Sequence, residues 1–198
     1  MSTHNVTLLN IDKSQVIVNH KELRLRLMVD KDFDLSAFDK ITNKAFDKAE
    51  FLCAYVTVPV TTEEDGNVNL GFTKVKSSDL AKNLDGCSNA FVFAVTLGIQ
   101  AERHLMMLSK TAPSEHFITD AYYSALAEAL CDKAEEIIKG EAICKPRFSP
   151  GYGDLPLSLQ KDVLDVLEAS KLLGVTLTKT LLMTPQKTIT AIMGIKNT

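Results

Sequence analysis

Apolar residues recur along this chain with two periods, and the switches between them mark its elements. Residues 6–9 and 16–18 read as short strands. Phe38, Ile41, Ala45, Ala49 and Leu52 fall three and four apart, which predicts a helix over 33–53 with Asp34 or Ser36 as its cap. Residues 54–60 alternate as a strand, and Pro59 places it at an edge or marks its end. Asp65-Gly66 predicts a hairpin turn, with Val68, Leu70 and Phe72 on the return strand. A short helix follows over 78–84. Residues 91–95 are apolar on both faces, as a central strand is. A helix over 99–109 comes next.

Pro113 opens the longest predicted helix and Gly140 closes it. Its main stripe is Leu126, Leu130, Ala134 and Ile137. A second face, Ala121, Ser124, Ala125 and Glu128, is lined with small side chains that let another element or a ligand come close. Residues 143–148 read as a strand, and 158–173 as an amphipathic helix stopped by Gly174. Residues 175–183 alternate as a strand, 184–187 turn, and Ile189, Ala191 and Met193 return. Hairpins mix with helices and no βαβ series appears. The expected class is α+β: a twisted, largely antiparallel β-sheet with helices packed on it.

The 198 residues read as a single domain over 1–198. A net charge of −3 and the absence of Trp argue against nucleic acid. No stretch is apolar enough to span a membrane, and the first residues do not resemble a leader. Cys53, Cys87, Cys131 and Cys144 form no C-x-x-C pair, and they read as reduced thiols in a cytoplasmic protein. His4, His20, His104 and His116 are dispersed, with His104 and His116 expected at the surface or at helix ends. Glu63-Glu64-Asp65 reads as a solvated hairpin tip, and Asp162, Asp165 and Glu168 as a polar helix face. Phosphate-binding, zinc-peptidase, iron–sulfur and serine-hydrolase motifs are all missing.

The chemistry concentrates in Arg147-Phe148-Ser149-Pro150-Gly151-Tyr152-Gly153. Proline fixes φ and the glycine accepts φ > 0, so the chain should reverse there. The turn sets Arg147 and Tyr152 on one wall with glycine amides between them. Taken alone, Arg147 is more often a structural salt bridge, Glu128 a solvated helix residue and Tyr152 a packing residue; Gly151 is a turn residue on any reading.

The Arg-x-x-Pro-Gly-Tyr run, the amphipathic helix after it and the Met183-Thr184-Pro185 hairpin resemble the activation (reactivation) domain of cobalamin (vitamin B12)-dependent methionine synthase. Leu126-Ala127-Glu128-Ala129 is similar to that family's helix, and Cys87 through Glu102-Arg103 is similar to its stand-alone members. The likeness covers 87–194. It implies a methionine synthase activation domain-like fold and a part in methionine biosynthesis. It implies S-adenosylmethionine binding, with Glu128, Arg147, Ser149, Gly151 and Tyr152 as the ligand-binding residues and none catalytic. Arg147 would fork onto the ligand carboxylate, and Glu128 would hold its ammonium or a ribose hydroxyl. The tyrosine ring would lie against sulfonium or adenine. The module would supply the methyl donor for reductive methylation of cobalamin carried by a partner synthase, with a flavodoxin-like electron donor. No D-x-H-x-x-G run is present, so a corrinoid's histidine ligand would come from that partner. The family's larger members use a further tyrosine beyond the point where this chain stops, at Thr198, and an early aspartate with no match here.

Two other readings stay open. One is a non-catalytic corrinoid-protein partner or chaperone that has lost the donor site. The other is an enzyme that binds a different small carboxylate through Arg147.

Overall fold

A computed structural model describes residues 5–63 and 65–197. The chain begins with strand β1 (Thr7–Asn10), helix α1 (His20–Leu27), helix α2 (Asp39–Lys48) and strand β2 (Leu52–Pro59). Short strands β3 (Thr61–Thr62), β4 (Asn67–Asn69) and β5 (Lys74–Lys76) follow, then α3 (Ser78–Asn83) and the long β6 (Cys87–Thr96). Helices α4 (Gly98–Thr111) and α5 (Pro113–Lys139) come next. The last part holds α6 (Leu159–Val166), α7 (Ala169–Leu172), β7 (Thr176–Leu177), β8 (Met183–Thr184) and β9 (Thr188–Lys196).

The main sheet has the order β1-β2-β6-β9, antiparallel throughout. Period-2 alternation sends its side chains to two separate cores. Cys53, Phe93, Val95, Ala191 and Met193 face Tyr123, Leu126 and Leu130 of α5. Ala54, Val56, Val92, Ala94 and Ile192 face Leu80 of α3 and Leu159 and Val163 of α6. β6 is central and buried on both faces, as its apolar run predicts.

The long helix runs from Pro113 to Lys139 as expected, with Gly140 as its C-cap. Its small-residue face is explained by α1: Leu23 and Leu27 pack onto Ala121 and Ala125. α1 is itself capped by Asn19, whose side chain accepts from the amides of Lys21 and Glu22.

Several expectations need correction. Residues 16–18 form no strand. The helix over 33–53 is a 3-10 turn, Leu35–Phe38, then α2, which ends at Lys48. Asp34 caps that 3-10 turn through the Ser36 amide. The Glu50 amide donates to the Leu97 carbonyl and Leu52 joins β2, so pairing with β6 overrides the helical spacing. Residues 143–148 make only isolated bridges to β9, Cys144 to Ile195 and Phe148 to Ile192. Pro146 lies between them and has no N–H to give a ladder. The helix over 158–173 is broken, because Glu168 sits in the left-handed region at φ 48°. Residues 175–183 are the hairpin β7–β8 with Leu181 at φ 62° in its turn. Pro59 closes β2 beyond the reach of β1, which pairs only as far as Tyr55. Of the acidic hairpin tip, Glu64 lies outside the described residues, as does His4.

His104 is buried, not at the surface as expected, with 4% exposure. Its Nδ1 lies 3.0 Å from the Tyr123 hydroxyl, and its Nε2 has no partner among the described residues. Burial, followed by the charges of Lys44 and Lys48, holds its pKa below the ordinary 6.5, against a weaker pull from Glu115. The unfolded chain therefore binds this proton more readily. Stability is fully present above that ordinary value and falls as pH drops through it toward the folded pKa. Urea midpoints at about pH 7.5 and 5.5 check this. His104→Gln is expected to flatten the slope, and an unchanged slope would show that His104 does not set it.

Candidate functional site

The residues singled out by sequence come from two places, the middle of α5 and the loop after it. Glu128, Asp132 and Glu135 stand four and three apart on α5 and share one helix face. Arg147 belongs to the segment alongside β9. Its neighbour Phe148 exchanges both backbone hydrogen bonds with Ile192, each 2.8 Å, and packs into the α6-side core. Alternation then turns the Arg147 side chain the other way, toward α5.

There it meets three carboxylates. Nη1 donates to Asp132 Oδ1 at 2.6 Å and to Glu135 Oε2 at 3.0 Å, and Nη2 donates to Glu128 Oε2 at 3.2 Å. Burial by itself would lower the arginine pKa, but the hydrogen bonds that it donates to Asp132 and Glu135, with the negative charge beside it, more than offset this and raise it. Three of the five guanidinium N–H groups are thus held within the chain; Nε–H and one Nη2 hydrogen remain.

The loop that follows is a β-turn. The Tyr152 amide donates to the Ser149 carbonyl at 3.1 Å, with Gly151 at φ 93°. The Gly151 amide donates to Leu155 O at 3.0 Å, so it is used inside the loop. Asp154 docks the turn on α3: its carboxylate accepts from the Ser77 hydroxyl and from the amides of Ser78 at 2.7 Å and Asp79 at 3.2 Å. These bonds, the Ser77 hydroxyl first, hold its pKa below the ordinary carboxylate value. Asp79 answers by accepting the Asp154 amide. Gly153 suits this junction because its φ of 53° lies in the left-handed region, and a Cβ there would also displace the Asp79 carboxylate.

Glu128, Ser149 and Tyr152 line one cleft of about 480 Å³. Arg147 and Gly151 stand outside its wall. The Arg147 guanidinium lies behind Glu128, and Gly151 belongs to the turn through its φ of 93° and its hydrogen bond to Leu155 O. The opposite wall comes from the β7–β8 hairpin and β9, through Leu181, Leu182, Met183, Gln186, Thr188 and Thr190. Leu157 and Gln160 close it from the α6 side. Its volume suits a small ligand. A cavity of about 550 Å³ between α1, α2 and Tyr122 is larger, but none of the residues singled out reaches it.

Gln160 is the residue that sequence reasoning missed. It is buried at 3% exposure, and its Nε2 donates to Thr190 Oγ1 at 2.8 Å and approaches Met183 Sδ at 3.3 Å. Its signal was an amide among Leu159, Val163 and Leu164 on the apolar face of α6.

The thiols lie elsewhere. Burial pushes Cys53 and Cys131 up to about 12, which keeps both protonated. Among the described residues no group of His, Cys, Asp and Glu is arranged to hold a metal ion. Among those residues, too, no helix is long and apolar enough to cross a membrane.

No known protein-family profile matches the chain. Nor does any curated protein sequence. A solved structure does: a crystal structure of the MetH reactivation domain bound to AdoHcy superposes with a TM-score of 0.74 at 13% identity, over 98% of this chain and 79% of that one. At that identity the likeness speaks for architecture. The chain has the α+β fold of the MetH reactivation domain, an antiparallel sheet with helices on both faces.

Proposed function

We propose that this protein binds S-adenosylmethionine and supports the reactivation of a cobalamin-dependent methionine synthase, acting in trans. One observation carries the reading. Glu128 from α5 and Ser149 and Tyr152 from the Pro-Gly turn meet on one cleft, in a fold shared with a domain bound to AdoHcy. Among the described residues neither the Ser149 hydroxyl nor the Tyr152 phenol has a partner within the chain, and Glu128 Oε1 is free. These groups fit the hydroxyls and ammonium of such a ligand. Arg147 lies outside the lining, and its part is to hold Glu128 in place.

The chain's own part is to bind and orient the donor. The cobalamin of a partner synthase supplies the metal that takes the methyl group, and a flavodoxin-like protein supplies the electron. The site of action is the cytoplasm.

Two or three charged hydrogen bonds of about 1.5–3 kcal/mol each suit an affinity near micromolar. Titration calorimetry with S-adenosylmethionine is expected to give that affinity. No heat, with and without a cobalamin-dependent synthase present, would overturn the reading.

The engagement of Arg147 by three carboxylates favours a second reading. In it the chain is a corrinoid-protein partner that keeps the fold without the donor site. Binding of a purified synthase cobalamin domain with no affinity for S-adenosylmethionine would select it.

A further inference from the structure

The wall of the cleft carries one charged side chain among the described residues, and it is acidic: Glu128. The cation behind it does not balance its surroundings. Arg147 offers a single positive charge to Glu128, Asp132 and Glu135, so two negative charges stay uncompensated. Two lysines near this face of α5 pair with other carboxylates, and among the described residues Lys139, four residues after Glu135, neither pairs with Glu128 nor lines the cleft. Lys187 pairs with Asp120 at 2.8 Å and Lys133 with Glu136 at 3.1 Å. Glu128 spends only Oε2 on the arginine, at 3.2 Å. Its Oε1 has no partner among the described residues.

A negative wall on a concave, partly apolar surface attracts a positive ligand over a neutral one of the same shape. Resting on the reading of the cleft as an S-adenosylmethionine site, we infer that it selects ligands by charge, preferring the methylsulfonium to the neutral thioether left when the methyl group is gone. S-Adenosylmethionine carries one more positive charge than S-adenosylhomocysteine and is otherwise nearly isosteric with it. The cleft thereby holds the loaded donor and releases the spent one. The carboxylates that create the preference include Asp132 and Glu135, which do not line the cavity.

The test is calorimetry on the full chain with three probes. These are S-adenosylmethionine, S-adenosylhomocysteine and an analogue with a protonated amine in place of the sulfonium. Both cations are expected to bind about tenfold tighter than the thioether at low salt. That advantage should shrink as salt rises toward about 0.5 M. In the double variant Asp132→Asn/Glu135→Gln it should fall severalfold, while the thioether's affinity holds. Equal affinities for all three probes, or an advantage blind to both salt and the double substitution, would overturn the charge selection and leave the binding site standing. No binding of any probe would bring down the site itself. If the double variant does not fold, the salt series on the unsubstituted chain decides between these outcomes.

Discussion

Arg147→Ala is expected to lower the stability of this protein by about 2–4 kcal/mol, read from urea denaturation near neutral pH. The reason is what remains after the guanidinium is removed. Glu128, Asp132 and Glu135 share one face of α5 and lose the charge that joins them. Breaking a buried ion pair by removing one partner typically costs about 3–5 kcal/mol. Arg147 keeps 27% of its side-chain exposure and Asp132 keeps 68%, so water screens part of that and the expected loss extends below this range. A second substitution separates lost charge from lost packing. Arg147→Met combined with Glu128→Gln, Asp132→Asn and Glu135→Gln leaves no stranded charge, and it should recover most of the loss. A combined variant as unstable as Arg147→Ala would show that the arginine stem, not its charge, holds α5 to the segment beside β9. Arg147→Ala should also weaken S-adenosylmethionine binding by tenfold or more, because Glu128 loses the hydrogen bond that fixes it at the cleft wall.

Phe93→Ala should cost about 3–5 kcal/mol, at the top of the range for a single truncation. Phe93 is completely buried in the central strand β6 and belongs to the core cluster of Tyr123, Leu126 and Leu130 on α5. Deleting its ring leaves a cavity between sheet and helix that neither can close, because β6 is held on both sides by β2 and β9. Total stabilities of natural domains are about 5–15 kcal/mol, so this one change removes a large share. Phe93→Leu keeps most of the volume and should cost less than half as much. The helix that carries Glu128 rests on this contact, so ligand binding should fall with it. A loss below about 1 kcal/mol for Phe93→Ala would mean that the α5 layer repacks freely.

Local signals were legible wherever one segment carries its own instructions. The Pro113 start and Gly140 stop of α5 are such signals, and so are the two-sided apolar run of β6 and the Pro150-Gly151 reversal. Where two periodicities competed, the sequence misled. Leu52 continues the helical spacing of α2, yet it pairs with Thr96 in the sheet. Nothing near Glu168 announces the break between α6 and α7, since the residue there is neither Gly nor Asn. The candidate site divides the same way. Glu128, Ser149 and Tyr152 could be picked out and do meet on one cleft. Gln160 could not, because its partners Thr190 and Met183 lie 30 and 23 residues away.

By itself, then, the sequence determined the fold class, the longest helix, the central strand and the turn after Arg147. Each depends on periodicity or on residues adjacent in the chain. The tertiary structure alone decided what Arg147 does. Its carboxylates lie 12, 15 and 19 residues upstream on α5. They reach the guanidinium only because backbone pairing with β9 lays its segment alongside that helix. Charge pairing across such separations depends on where the elements pack, and no spacing along the chain encodes it. The cleft consequently presents Glu128 on its wall, and the arginine lies outside the lining.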